Sequence, residues 1–256
     1  MQGVELIEIM APALVAGLMV ALIHALLGLE VLARGIVFID LAIAQIAGLF
    51  FVLANYWIHE PTWGVVQVVA GLSAIGAAVF FRWIERILPR EQEAIIGSTF
   101  ILAASALLLA LVDNPHGGEE IQHILAGQIL FVRWSTIMSF APILLGALFL
   151  WSRFSAVRRG LPFFVLFALV VTASVQLVGV YVVFASLILP GLAVNSMHGG
   201  RTAGAIAVSV LAVVFGITAS TWADLPTGPA LVFAYAIATV LFRLSVWGLR
   251  FSKRHL

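Results

Sequence analysis

His24-Ala25-Leu26-Leu27-Gly28-Leu29-Glu30-Val31-Leu32-Ala33-Arg34-Gly35-Ile36-Val37-Phe38-Ile39-Asp40-Leu41-Ala42-Ile43-Ala44-Gln45 is the stretch around which the chain is organised. It reads as the end of one apolar helix, a tight glycine-flanked turn carrying Glu30 and Arg34, and the start of the next helix. His24, Asp40 and Gln45 lie inside segments otherwise fit for hydrocarbon. An ionisable side chain at the centre of a membrane helix costs about 2.5–3.5 kcal/mol, which makes such residues functional candidates by default.

The rest of the chain has the composition of a membrane body. Hydrophobic residues make up 63% and charged residues 10%, with mean hydropathy +1.15. A water-soluble domain carries about 25% charged residues. A span takes about 20 predominantly apolar residues, and the chain offers about nine such stretches. They fall near residues 8–29, 36–57, 63–82, 94–112, 135–152, 162–177, 180–197, 203–221 and 227–246. No stretch is left for a soluble domain, so residues 1–256 read as one all-α, polytopic transmembrane domain. Residues 119–133 are apolar but too short to cross, and read as an outer interfacial or re-entrant helix. The pair 162–177 and 180–197 is joined only by Val178-Gly179, so one member is expected to be short or tilted, with a kink at Pro190-Gly191.

Charge placement sets the orientation. With the N-terminus outside, the inner ends collect Arg34, Arg82, Arg86, Arg90, Arg153, Arg158, Arg159, Arg201, Arg243, Arg250, Lys253 and Arg254. That leaves Arg133 alone on the outer side, with Glu5, Glu8, Glu60, Asp113, Glu119, Glu120 and Asp224. The positive-inside bias therefore predicts N-out, C-in and an odd number of spans. The first ten residues carry only Glu5 and Glu8 and lack the basic opening of a secretory signal, so the first helix is expected to remain as an anchor. The absence of cysteine excludes disulfides and thiolate metal sites. The single lysine, Lys253, has no glycine-rich approach, so the chain has no phosphate-binding loop and is not expected to hydrolyse ATP. Nothing points to nucleic acid or to a tightly bound cofactor.

Two constellations could carry chemistry. His24 lies about five residues before the inner end of the first span and Asp40 about four residues into the second. At about 1.5 Å per residue both sit at similar depth and could face each other. An imidazole and a carboxylate suit a divalent cation such as Zn²⁺ or Mn²⁺; a structural His–Asp hydrogen bond is the other reading. The second constellation is His116, Glu119, Glu120 and His123, at i, i+3, i+4 and i+7 if a helix starts at Asn114-Pro115. It reads either as an outer cation-receiving patch or as a solvated face whose acids suit a helix N-terminus. Gln45 reads as an interhelical polar contact and Gln176 with Gly179 as a sign of close helix packing, and Glu93 as an acid at the start of the fourth span.

The chain resembles the permease subunits of zinc/manganese-type ABC importers. The resemblance rests on Leu27-Gly28-Leu29-Glu30-Val31-Leu32-Ala33-Arg34-Gly35 running into Val37-Phe38-Ile39-Asp40, and on Glu93-Ala94-Ile95-Ile96-Gly97. Gly127-Gln128-Ile129-Leu130, Val175-Gln176-Leu177-Val178-Gly179-Val180 and Leu187-Ile188-Leu189-Pro190 continue it in the same order. It implies an all-helical, paired permease of the inner (plasma) membrane, docked to cytoplasmic ATPase subunits and fed by an external metal-binding protein. The implied work is inward transport of a divalent metal, zinc or manganese with iron as a third candidate, using ATP hydrolysed by the partner subunit. The family commonly places His four residues after the Asp of the second span, where this chain has Ala44; His24 is expected to substitute. The family also has a longer, acidic coupling segment after the fifth span, where this chain has the short basic run Arg153–Gly160. A stand-alone secondary carrier or channel, using the buried Asp and His as a proton relay, and a degenerate non-transporting permease are the rival expectations.

Overall fold

A chain in hydrocarbon has no water to satisfy its peptide groups, so each span must close its own backbone hydrogen bonds as a helix. The computed structural model describes residues 2–58, 60–111, 125, 127, 129–197 and 199–252. Among the described residues it builds nine α-helices: α1 Gln2–Arg34, α2 Ile39–Trp57, α3 Trp63–Ile87, α4 Gln92–Ala110, α5 Trp134–Arg153, α6 Gly160–Val178, α7 Val180–Val194, α8 Arg201–Ala223 and α9 Thr227–Ser252. Eight are long and apolar enough to cross a membrane. The ninth, α7, has 15 residues, about 22 Å at 1.5 Å per residue. It is the short member expected between 162 and 197. Pro190 lies inside α7 and the helix continues past it to Val194.

Most boundaries expected from sequence hold within a few residues, but α1 extends beyond both expected ends and α3 and α9 run five or six residues longer. Glu30 and Arg34 belong to the last turns of α1, not to the turn that follows it. Arg34 Nε donates to Glu30 Oε1 at 2.9 Å, an i,i+4 pair that supports the extra helical turn. The chain reverses only at Gly35, with φ +70°.

Side-chain contacts fix alternating directions. His24, Gly28 and Leu32 of α1 lie against Ser186, Leu187 and Gly191 of α7 in that order, so the two helices run parallel. On α8 and α9, Gly216 abuts Leu231 and Gly204 abuts Phe242, an antiparallel pair. One apolar core draws on all nine helices. Large apolar side chains also point outward, among them Leu72, Leu102, Phe215, Phe233 and Leu241, each more than half exposed. In water that surface would aggregate; against lipid tails it costs nothing.

The first two helices do not form a packed pair. α1 packs on α8, α7 and α5, whereas α2 packs on α4, α3 and α6. A four-residue connection brings the chain ends together without dictating which faces meet. The closest approach of α1 is to α7, where a Cβ on Gly28 would lie 1.9 Å from the carbonyl oxygen of Leu187. Small residues that let backbones touch are what hold membrane helices together.

At one end of the bundle the basic residues are tied into the helix ends. Arg34 reaches Glu85 of α3 at 3.2 Å and the carbonyl oxygen of Arg158 at 2.8 Å. Arg82 pairs with the same Glu85. The Arg34 guanidinium lies 4.2 Å over the Phe163 ring of α6. Between α5 and α6, Ser155–Arg158 form a one-turn 3-10 helix, and Arg158 donates back to the Trp151 carbonyl at 2.9 Å. The short basic run is thus folded down and pinned. Arg34→Ala removes two ion pairs, a backbone contact and a cation–π contact. It is expected to destabilise by about 2 kcal/mol, read as a fall of roughly 5 °C in the melting midpoint of the detergent-solubilised protein.

Candidate functional site

His24 is buried in α1, and its Nδ1 lies 2.7 Å from the Ser186 hydroxyl of α7. That hydroxyl spends its one proton on the Val183 carbonyl oxygen, at 2.9 Å. It can therefore only accept from His24, which places the imidazole proton on Nδ1 and leaves a lone pair on Nε2. His24 Nε2 is buried without a hydrogen-bond partner.

Asp40 lies in the first turn of α2, 1% exposed, and neither carboxylate oxygen has a hydrogen-bond partner. His24 and Asp40 do not hydrogen-bond to each other. No ion pair joins them among the described residues, and α7 stands beside both. Ser186 of α7 takes His24, while Phe184 of α7 stacks on Phe38, two residues before Asp40, with ring centroids 6.4 Å apart. Among the described residues no three His, Asp or Glu side chains gather in a way that could hold a metal ion. His116, Glu119, Glu120 and His123 lie outside the described residues.

Glu93, expected at the start of its own helix, reaches across from α4 to the start of α2. Its Oε1 accepts from the Phe38 backbone N–H at 3.3 Å, where the orphan amides of a helix N-terminus favour an anion. Nothing in the sequence marks this cross-helix role, because an acid in a helix's first turn ordinarily serves its own N-terminus.

Above Asp40, away from the basic end, lies a cavity of about 440 Å³. Its walls include Ala44, Ala47, Gly48 and Phe51 of α2, Ala70 of α3, Thr136 of α5, and Thr172, Val175 and Gln176 of α6. Ala44, the residue standing where a histidine was expected from the resemblance, is thus in the wall of a space. At the side, Gln67 and Gln176 exchange reciprocal amide hydrogen bonds of 2.7 and 2.5 Å. The close packing expected at Gln176 is this pair. Gln176→Leu orphans the Gln67 amide; it is expected to cost about 0.6 kcal/mol and at most ~1.7, measured as a small fall in thermal stability. Gln45 is buried on another face of α2 and borders a second cavity of about 640 Å³ shared with α4, α7 and α9.

The segment before α5 packs at the far end. Gly127 (φ +65°) sits so close to the α6–α7 junction that a Cβ there would lie 2.3 Å from the Val178 carbonyl oxygen. At the junction Gly179, φ +81°, takes a conformation that other residues rarely adopt. Ile129 is buried at 1%, and its side chain approaches Gly17 of α1. Ile129–Phe131 form one 3-10 turn. Of the expected 119–133 helix, Leu125 is helical and Ile129–Phe131 form the 3-10 turn tucked against α1, while residues 119–124, 126 and 128 lie outside the described residues.

A helical bundle with an apolar girdle, one basic end, buried unpaired polar atoms and a cavity among its helices is a polytopic membrane protein. The chain belongs to the ABC 3 transport family, whose model matches residues 6–158 and 154–248. It is a multi-pass protein of the plasma membrane. It is 27% identical to the manganese transport system membrane protein MntC of Halalkalibacterium halodurans, over 91% of this chain and 85% of that one. Its fold is similar to that of PsaBC from Streptococcus pneumoniae, solved in complex with Fab. The TM-score is 0.73 at 18% identity, over 91% of this chain and 90% of that one.

Proposed function

We propose that this chain is the permease subunit of an ABC-type importer that moves a divalent metal cation, zinc or manganese with iron as a third candidate, into the cytoplasm. The observation that carries this reading is Asp40. It is a carboxylate in the membrane-embedded body of an ABC 3 family chain, almost fully buried, with both oxygens unpaired by protein. A bare carboxylate in such a place costs several kcal/mol, and a cation in transit repays that cost. Ligation must stay weak, since a path has to release what it binds. Asp40 is the ligand at the path, and His24 offers the Nε2 lone pair as a separate stopping point beside α7. His116, Glu119, Glu120 and His123 form the receiving patch on the outer face. The basic end faces the cytoplasm, where the pinned Ser155–Arg158 turn meets the partner ATPase. Two copies form the permease, an external metal-binding protein delivers the cation, and the ATP is hydrolysed entirely in the partner.

The test is reconstitution. The chain is purified with whatever ATPase it retains, placed in proteoliposomes with ATP enclosed, and offered labelled Mn²⁺ or Zn²⁺ with the binding protein outside. ATP-dependent accumulation is expected. Accumulation driven by a proton gradient without ATP would replace this reading with a stand-alone carrier, and no accumulation under either drive would point to a degenerate permease.

A further inference from the structure

The cavity beside α2 and α6 has a polar feature that no other part of the account uses. Threonine in an apolar helix ordinarily closes its hydroxyl onto the carbonyl four residues back. Thr99, Thr218 and Thr221 do so, at 2.8, 2.7 and 2.8 Å. Thr172 does not. It is 8% exposed, its hydroxyl has no hydrogen-bond partner, and it lines the cavity. A buried hydroxyl left bare is unfavourable unless something in the space takes it up.

The other polar groups of the wall are neutral as well. Thr136 contributes a hydroxyl, and the Gln176 amide is occupied by Gln67. Among the described residues no carboxylate or imidazole lines the cavity. The described wall offers no strong ligand that would strip a cation of its water. Size fits the same reading. At about 30 Å³ per water, 440 Å³ holds about fifteen waters, more than the roughly six that complete an octahedral shell around a small divalent cation. The wall also leads somewhere. Asp40, Ala44, Ala47, Gly48 and Phe51 fall at i, i+4, i+7, i+8 and i+11, one stripe of α2, so the cavity side of that helix continues down one turn to Asp40.

We propose that this cavity is a vestibule for the still-hydrated divalent cation, with the Thr172 hydroxyl binding a water of its shell before the cation reaches Asp40. The proposal rests on the permease reading above and adds a site to it. Thr172 touches the hydrated substrate and sets how readily the vestibule fills. Selection by direct ligation waits until Asp40.

The chain has no cysteine, so single-cysteine variants report on the cavity without background. In Thr172→Cys and Ala47→Cys, a membrane-impermeant cationic thiol reagent added to spheroplasts is expected to react, and Mn²⁺ is expected to slow the reaction. Ser209→Cys, buried in α8 away from the cavity, is expected to stay unmodified. In uptake measurements, Thr172→Val removes the hydroxyl at nearly constant shape. It is expected to raise the half-saturating metal concentration roughly two- to tenfold, the weight of one hydrogen bond, with Thr172→Ser restoring it at equal membrane abundance. Unreactive cysteines at both positions, reaction indifferent to Mn²⁺, or unchanged half-saturation in Thr172→Val would each overturn the vestibule. Cysteine protection by Mn²⁺ in a protein that moves no metal would uphold the vestibule and remove the transport reading instead.

Discussion

Asp40→Ala is expected to abolish metal uptake while the protein accumulates in the membrane at its normal level and melts within a few degrees of the wild type. Most buried polar side chains hold something, and truncating them destabilises. Asp40 is 1% exposed and no other side chain pairs with its carboxylate. Removing it gives up only the favourable placement of an acid in the first turn of α2, about 0.3–1 kcal/mol, and relieves a desolvated anion, so the stability change is expected to be small. The loss of transport should exceed the 10–100-fold that supporting residues around a metal site cost, because Asp40 would touch the cation itself. Asp40→Asn keeps the shape and loses the charge, and is expected to fail equally. The pairing of near-normal stability with no transport, read by melting in detergent and labelled-metal uptake, separates a ligand from a structural residue. A variant that is unstable and inactive would place Asp40 in the architecture instead.

The second large effect has the opposite signature. Gly28→Leu is expected to lower membrane abundance several-fold, with transport falling in proportion to the protein that remains. A Cβ at residue 28 would lie 1.9 Å from the Leu187 carbonyl oxygen and 2.8 Å from its carbon, and backbone cannot move aside as a side chain tip can. The crossing also seats Gly191 against Leu32 and, one turn earlier, the His24–Ser186 hydrogen bond. Overpacking alone costs about 1–3 kcal/mol, and a loss of that size changes cellular abundance several-fold. Gly71→Ala in α3 is the control: a Cβ there meets nothing within 4 Å, so abundance should hold or rise with the better helix former. Quantitative immunoblots of membranes compare the two directly.

These two residues also mark what the sequence discloses and what it withholds. The helices were legible because each is a long apolar run ended by local signals, such as the Glu30–Arg34 pair that carries α1 down to Gly35. Asp40 was legible because a carboxylate in hydrocarbon stands out without any partner being known. Partnerships were not legible. His24 meets Ser186 across 162 residues of chain, and nothing local marks that serine among the others. The short turn after Arg34 suggested that His24 and Asp40 share a hairpin. The helices instead sort by where backbones fit, Gly28 on Leu187 and Gly191 on Leu32, which puts α7 beside α1. The meeting of Gly127 with the Val178-Gly179 junction was equally hidden, although both motifs stood out separately in the chain. The cavity was out of reach for the same reason, being bounded by α2, α3, α5 and α6 together.

The central claim is that this chain carries a divalent metal inward through a path that includes Asp40. Its most direct test is uptake of labelled zinc, manganese and iron by metal-starved cells with the gene intact, deleted, or carrying Asp40→Ala, in a strain lacking other importers. Uptake of one of these metals is expected to be lost in the deletion and equally lost in Asp40→Ala, with the variant protein present in the membrane. Unchanged uptake of all three metals in the deletion strain would contradict it.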